Sequence, residues 1–376
     1  MRWTPIGYPC WYCRCDYRAC PGCDGLRSDI GAGTAGVITE RILGAMDSGQ
    51  ISVLVLLDLS TCYDVVPHQI LLDKLALYGV DTAWFSDYLR GHTQQVQIVS
   101  GSGVPVRPTV KPNSIGVFQG GSLSCILYTV FTNDPSLFVP DGVRVVRFAD
   151  DTQLLVSGKK SELPRIIALM EQALECVYLW FCSHDMKLNA TKTQALVLGT
   201  SGMLRDLPPV TLNFLGAVVP DSRVVRNLGV IMDCHLSFQP HVDHVTSKCT
   251  GILVVLMHAK HSIPKSTLVT IVQALVTSVV RYCISLYGTC SATQLHRVQK
   301  MLNFGARVIS GRRKHDHISD VFRELNWLDA RSLVAYHRFS RSRGDHDGET
   351  GERGAGHWWG RRAPISDARL LPARPF

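Results

Sequence analysis

Charge is scarce in this 376-residue chain: only 19% of its residues are Asp, Glu, Lys or Arg, and 8% are aromatic. The longest strongly apolar segment, LVTIVQALVTSVV over Leu268–Val280, is well short of the roughly 20 residues a membrane helix needs. Met1–Gly25 holds no apolar core of signal-peptide length. No GxxxxGK[ST] phosphate loop and no internal repeat occur, which argues against a P-loop nucleotidase and a solenoid. Low charge with 46% apolar residues also argues against wholesale disorder. The chain is therefore expected to be intracellular, cytoplasmic and/or nuclear, away from membranes. Its 13 cysteines are then reduced thiols. The net charge of +8 favours a polyanionic partner.

Three textures succeed one another. Residues 1–26 are rich in Cys, Trp and Tyr without periodicity, and 338–376 are a Gly-, Pro- and Arg-rich tail expected to lack structure. Between them the patterning is globular. ISVLVLLDLS (Ile51–Ser60) reads as a strand buried on both faces, and HQILLDKLALY as a helix stopped by Gly79. GVFQGGSLSCILYTVFTND (Gly116–Asp134) is a Gly-rich turn opening into a helix. VRVVRFADDTQLLVSG reads as a β-hairpin. Ser161 is placed to cap a helix whose inner face is Ile166, Ile167, Met170, Ala173, Leu174 and Val177. Ala195–Gly199 and Arg226–Asp233 read as further strands, and the chain turns helical after His241. The fold class expected is α+β.

The chemistry centres on Asp150 and Asp151, adjacent acids at the hairpin bend. Like charges at this spacing need a cation. Asp58 ends the buried strand, so adjacency of the two elements would gather three carboxylates. Such hard oxygen donors suit magnesium, and two ions can steady both oxygens of an in-line phosphoryl displacement. A surface Asp-Asp turn is the plain alternative.

Five segments in order extend this reading: LLDLSTCYDVVPHQILLDKLALYGV, GVFQGGSLSCILYTVFTND, RFADDTQLLVSG, WFCSHDMKLNATKTQALVLG and VRNLGVIMDCHLSFQPHV. The succession resembles the reverse transcriptase of non-LTR (LINE-type, jockey-like) retrotransposons, over about 27–331. The resemblance implies a right-hand polymerase palm, with a small antiparallel sheet and helices, followed by a helical thumb and connection. It divides the chain into a palm over 27–200, a primer-grip region over 201–240 and a thumb over 241–337. It further implies that Asp58, the carbonyl of Leu59, Asp150 and Asp151 hold two Mg2+ ions, with Mn2+ a possible substitute. Tyr63 would lie beneath the incoming sugar and select deoxynucleotides. Gln119 and Gly120 would pack on the incoming nucleoside triphosphate, and Lys192 would lie beside its leaving pyrophosphate. Asn227, Leu228 and Gly229 would grip the primer end. Arg297, Lys300, Arg307, Arg312, Arg313 and Lys314 would face phosphates of an RNA template and DNA primer.

Several positions depart from the family pattern. Phe118 stands for a proline, Gly121 for a serine and Cys125 for a proline, while Cys62 and Pro67 are unusual. Fingers residues ahead of Arg27 have no recognised counterpart, so a partly degenerate, truncated copy is expected. A relict that only binds RNA or DNA is the runner-up. A two-metal nuclease or cyclase would share the acids but not Tyr63, Gln119 or the Asn227–Gly229 turn.

Two metal-like patterns are read as weaker. Cys10, Cys13, Cys20 and Cys23 form two CxxC pairs, a zinc-like spacing interrupted by Cys15 and without an evident supporting fold. His235, His241, His244, His258 and His261 lack the Cys or acid that would complete a closed site.

Overall fold

The computed structural model describes residues 23–349, apart from 61, 96–97, 100–104, 107–108, 119 and 122. Cys10, Cys13 and Cys20 of the zinc-like pattern, and Gln119, lie outside the described residues. The chain forms two units, Met1–Val334 and Ala335–Phe376.

The first unit is built on a four-stranded sheet. Its strands are β1 (Ile51–Leu57), β2 (Arg144–Phe148), β3 (Asp151–Gly158) and β4 (Gln194–Leu198), in the order β4-β1-β3-β2. All three pairings are antiparallel. Near-continuous hydrophobicity is more typical of parallel sheets. Here it arises because helices cover both faces. Val53, Val55, Leu154, Val156, Ala195 and Val197 pack on one side, and Leu54, Leu155, Leu196 and Leu198 on the other. Six of the seven residues of β1 are buried. Each fully buried Leu or Val contributes about 1.5–3 kcal/mol, so a one-residue slip of β1 would exchange two complete sets of contacts.

Helix α1 (Cys23–Asp47) contributes Ala35, Ile38, Ile42 and Met46 to the second face. It begins at Cys23, inside the stretch read as an unmatched extension. On the first face lie α2 (His68–Leu77), α4 (Ser124–Phe131) and α5 (Leu163–Ser183), with α3 (Thr82–Leu89) beside α2. In α5 the buried positions are Leu163, Ile166, Met170, Ala173, Leu174, Val177, Trp180 and Phe181, close to the expected stripe. Ser161 is not the cap; it lies in a 3-10 turn over Lys160–Glu162. There the Glu162 carboxylate accepts the Lys159 N–H at 3.0 Å. Among the described residues, the helical segment Lys160–Ser183, rather than 268–280, is the one long and apolar enough to cross a membrane by length and composition. Its apolar stripe is instead spent on the sheet.

Two hairpins follow: β5 (Thr211–Phe214) with β6 (Ala217–Pro220), and β7 (Val224–Asn227) with β8 (Val230–Asp233). Helices α6 (Gln239–Ala259), α7 (Lys265–Val272), α8 (Ala292–Ser310) and α9 (Ser319–Glu324) complete the fold, with a π-helical stretch over Gln273–Thr277 after α7. Val242, Cys249, Leu253, Val272, Val280, Leu302 and Ile309 share one core with β7, β8 and the second face of the sheet. A further helix runs over Ala330–Glu349, so residues 338–349 are not structureless as expected. Extending an existing helix is far cheaper than nucleating one, which lets this polar stretch continue the apolar start at Ala330–Val334.

Candidate catalytic site at the sheet edge

Strand register brings the acids together. The last β1–β3 pair is Leu57 with Thr152; one step further, Asp58 stands opposite Asp151. The last β2–β3 pair is Phe148 with Asp151, so Ala149 and Asp150 are the whole connection. Ala149 takes a left-handed φ of 51°, as two-residue hairpin turns require, and Arg147 Nη2 donates to its carbonyl at 3.3 Å. Asp150 is exposed at the tip of the turn.

The three carboxylates feel one another. Asp151 is pushed up to about 6 by burial first, then by the charges of Asp150 and Asp58. Cys62 is pushed up to about 12 by burial, with Asp150 and Asp58 adding to the rise. Its thiol points at Asp150 Oδ2, 3.9 Å away. A thiol here stays protonated, so it adds no further anion to the cluster.

Asp58 is served by a separate loop. Beyond it, Leu59–Ser60 pairs with Lys187–Leu188, and Asn189 N–H donates to the Asp58 carbonyl at 3.0 Å. Asn189 then caps a 3-10 turn over Ala190–Lys192, which places Lys192 Nζ 3.2 Å from Asp58 Oδ2. Oδ2 is itself buried and makes no hydrogen bond, so the lysine supplies charge at poor angle rather than a hydrogen bond.

Hard oxygen donors, a buried carboxylate oxygen without a hydrogen bond and a carboxyl raised by burial and by its neighbours' charges fit a divalent cation in kind. Among the described residues, no three His, Cys, Asp or Glu side chains are drawn together around one point. Repulsion among unneutralised carboxylates explains this, as does the turn of Asp58 toward Lys192.

The Gly-rich segment is fastened against the stretch after Asp58. Gly116 N–H donates to Val66 O and Val117 N–H to Tyr63 O, both at 2.8 Å, and His68 Nε2 meets Gly116 O at 2.8 Å. Gly116 has φ +87°, and a Cβ there would stand 2.8 Å from Asp64 O; only glycine fits. Tyr63 stacks on the buried Tyr128 with ring centroids 4.5 Å apart. Its hydroxyl lies 3.9 Å from Cys125 Sγ. Gly120 is exposed with φ +89°. Phe118, the residue in place of proline, packs against His92 at 3.9 Å and Tyr88 at 5.9 Å.

The turn Asn227–Gly229 lies across from the acids. Leu228 has φ 46° and Gly229 φ 83°, and Tyr282 donates its hydroxyl to the Leu228 carbonyl. Asn227 is not free to hold a primer through its side chain: it is buried, and its amide donates to Gln153 Oε1 at 2.8 Å. The basic residues also divide. Arg297 is paired with Asp243 and Arg312 with Asp320, while Arg307 donates to the carbonyls of Arg313 and Asp316 at 3.2 and 3.3 Å. Local acids and turn carbonyls have claimed these three. Lys300, Arg313 and Lys314 are exposed. His241 is buried and pushed down to about 4, chiefly by burial, a core histidine. Residues that sequence reasoning missed here are Tyr128, Arg147, Gln153, Arg226 and Tyr282; the first four lie inside the quoted segments, but only tertiary contact shows what they touch.

The fold and site so described are a four-stranded antiparallel sheet with acids at one edge. The family model for reverse transcriptase (RNA-dependent DNA polymerase) matches residues 34–232, more than half of the chain, and the chain belongs to that family. The probable RNA-directed DNA polymerase from transposon BS of Drosophila melanogaster is 25% identical over 360 residues, covering 90% of this chain and 36% of the relative. The RNA-directed DNA polymerase from mobile element jockey of the same organism is 24% identical, covering 77% of this chain and 31% of its own length. These relatives place the domain among LINE-type reverse transcriptases. The chain spans about a third of the length of the curated relatives it matches. The BS match is wider than the 27–331 stretch that carries the sequence resemblance. The structure of telomerase from Candida albicans with a TWJ fragment of telomeric RNA aligns at TM-score 0.34 and 14% identity, over 87% of this chain and 57% of that one.

Proposed function

We propose that this domain extends a DNA primer on an RNA template from deoxynucleoside triphosphates, with the β-sheet as a polymerase palm and α6–α9 as its thumb. The observation that carries the reading is the convergence of Asp58, Asp150 and Asp151, from stretches some ninety residues apart, at one sheet edge. Bound there, Mg2+ or Mn2+ would lower the charge on the reacting oxygens of phosphoryl transfer. Asp58 and Asp150, with Asp151 and the Leu59 carbonyl, would hold the ions. Tyr63, backed by Tyr128 and fixed through the Gly116–Val117 contacts, would offer a flat wall to the incoming sugar. A 2′-hydroxyl would collide with it. Gln119 and Gly120 would border the nucleotide. Lys192 would exchange its pairing with Asp58 for the departing pyrophosphate once a cation claims the carboxylate. The backbone of Leu228 and Gly229, held by Tyr282, would support the primer end. Lys300, Arg313 and Lys314 would add non-specific phosphate contacts.

Primer extension on an RNA template, with Asp150→Asn beside the native chain, tests this. Extension by the native chain that needs a divalent ion and is lost in the variant is expected. The Lys192–Asp58 pair and the Cys62–Asp150 contact favour one second reading, a non-catalytic RNA- or DNA-binding relict. Binding without any extension would select it.

A further inference from the structure

We propose that Arg41 and Arg144 form a pocket for a phosphomonoester dianion on the second face of the sheet, an inference independent of the polymerase reading. A cleft of about 350 Å3 opens between the end of α1 and the start of β2. Arg41, Gly44, Ser48 and Gln50 line it from the helix and the turn after it, and Arg144 and Ser157 line it from the sheet. Arg41, Gly44 and Ser48 recur at helical spacing, so one face of α1 meets the cleft. Arg144 stands opposite Leu155 in the strand register, and Leu155 shares its face with Ser157. Leu155 packs in the core that holds the inner side of α1, so Arg144 and Ser157 rise toward the helix. Ser157 is six positions along β3 from Asp151, roughly 20 Å at strand rise. A ligand here lies out of reach of the three acids.

The cleft presents donors. Arg41 and Arg144 are exposed and enter no ion pair among the described residues, and no acid lines the cleft among those residues. The helix-end carbonyls of Gly44, Ala45 and Met46 are already engaged by the N–H groups of Ser48, Gln50 and Gly49. The Ser48 hydroxyl also donates to the Gly44 carbonyl, at 2.9 Å. Ser52 is 0% exposed, and its hydroxyl lies 2.7 Å from that of Ser157. A buried hydroxyl proton needs an acceptor; for Ser52 that is Ser157 Oγ, which leaves the exposed Ser157 proton for the cleft. Two guanidinium groups, this hydroxyl and the Gln50 amide call for an acceptor-only dianion. A phosphate monoester carries about −1.5 to −2 charges at neutral pH, which matches the two arginines. The apolar Leu155 and the bare backbone of Gly44 leave room for a sugar on its ester oxygen.

Equilibrium dialysis of the full chain in chelator tests this, with adenosine 5′-monophosphate, its methyl ester and adenosine as ligands. The monophosphate should bind at about 1 mM or below, about tenfold more tightly than the methyl ester, and adenosine should not be retained. Arg41→Ala and Arg144→Ala, both at exposed positions, should each weaken the monophosphate about tenfold, the scale of one charge-assisted contact. Gly44→Leu should abolish binding: a Cβ there meets nothing within 4 Å, so the new side chain enters the cleft without straining the helix. Asp150→Asn should leave binding unchanged. A 5′-phosphorylated oligoribonucleotide and its 5′-hydroxyl twin then separate the sources. Tighter binding of the phosphorylated strand assigns the pocket to a strand end, and equal binding assigns it to a free nucleotide. No retention of the monophosphate, a methyl ester or adenosine bound equally well, indifference to the arginine and Gly44 variants, or loss in Asp150→Asn would each overturn the proposal.

Discussion

Asp151→Asn should stabilise the metal-free protein while removing its chemistry. In the fold the Asp151 carboxyl rises from its ordinary value of 3.8 to about 6 through burial and the nearby Asp150 and Asp58 charges. A carboxyl raised on folding binds its proton more tightly in the native state. Its contribution to stability is therefore complete below about pH 4 and is lost as the pH climbs through about 6. Undiminished, a rise of that size is worth roughly 3 kcal/mol. Asp151 stands exposed at the hairpin, although much of its carboxyl is desolvated, so solvent screening reduces the penalty to about 1 kcal/mol. For a domain of this size that is a melting shift of about 2–4 °C. Thermal melts of the native chain and Asp151→Asn at pH 4, 6 and 7.5, in chelator, measure it. The variant should gain at pH 7.5 and show no gain at pH 4, and added Mg2+ should raise the native melting point more than the variant's. Equal melts at every pH would refute the claim that burial and the charges of Asp150 and Asp58 raise the Asp151 carboxyl.

Other outcomes follow from named contacts. Gly116→Ala meets both a positive φ and the Asp64 carbonyl; it should destabilise by about 3 kcal/mol or more, read as a lower urea midpoint. Lys74 donates to Phe131 O and Asp134 Oδ1, both at 2.6 Å, with its ammonium 4.7 Å from the Trp180 ring. Lys74→Met should therefore cost about 2–3 kcal/mol by leaving both acceptors unpaired, with denaturant unfolding as the check. Tyr63→Val should let the enzyme incorporate ribonucleotides at least about tenfold more readily, measured as the ratio of kcat/KM for the two sugars. An unchanged ratio would dismiss the ring as a sugar gate.

The sheet and α5 were legible because their periodicities are strong: β1 is apolar at nearly every position, and α5 repeats its large residues every three or four. The hairpin around Asp150 was legible from two apolar runs with acids between them. What escaped was set by tertiary contact. Nothing local shows that Arg297 and Arg312 pair with Asp243 and Asp320, since Asp243 and Asp320 lie on other helices or beyond a turn. Asn227 reads as a polar turn residue until Gln153, from a strand over seventy positions away, buries and engages it. The helix over Ala330–Glu349 was hidden by a composition that suggests disorder, because propagation from an apolar start leaves little trace in the residues it recruits.

Divalent-ion binding at the sheet edge is tested most directly by titrating Mn2+ into the protein with a dideoxy-terminated primer–template and nucleotide, following the loss of free-ion EPR signal. The native chain should take up ions that Asp58→Asn and Asp150→Asn each fail to hold, with Mg2+ competing. Undiminished Mn2+ uptake in both variants would contradict a shared carboxylate site.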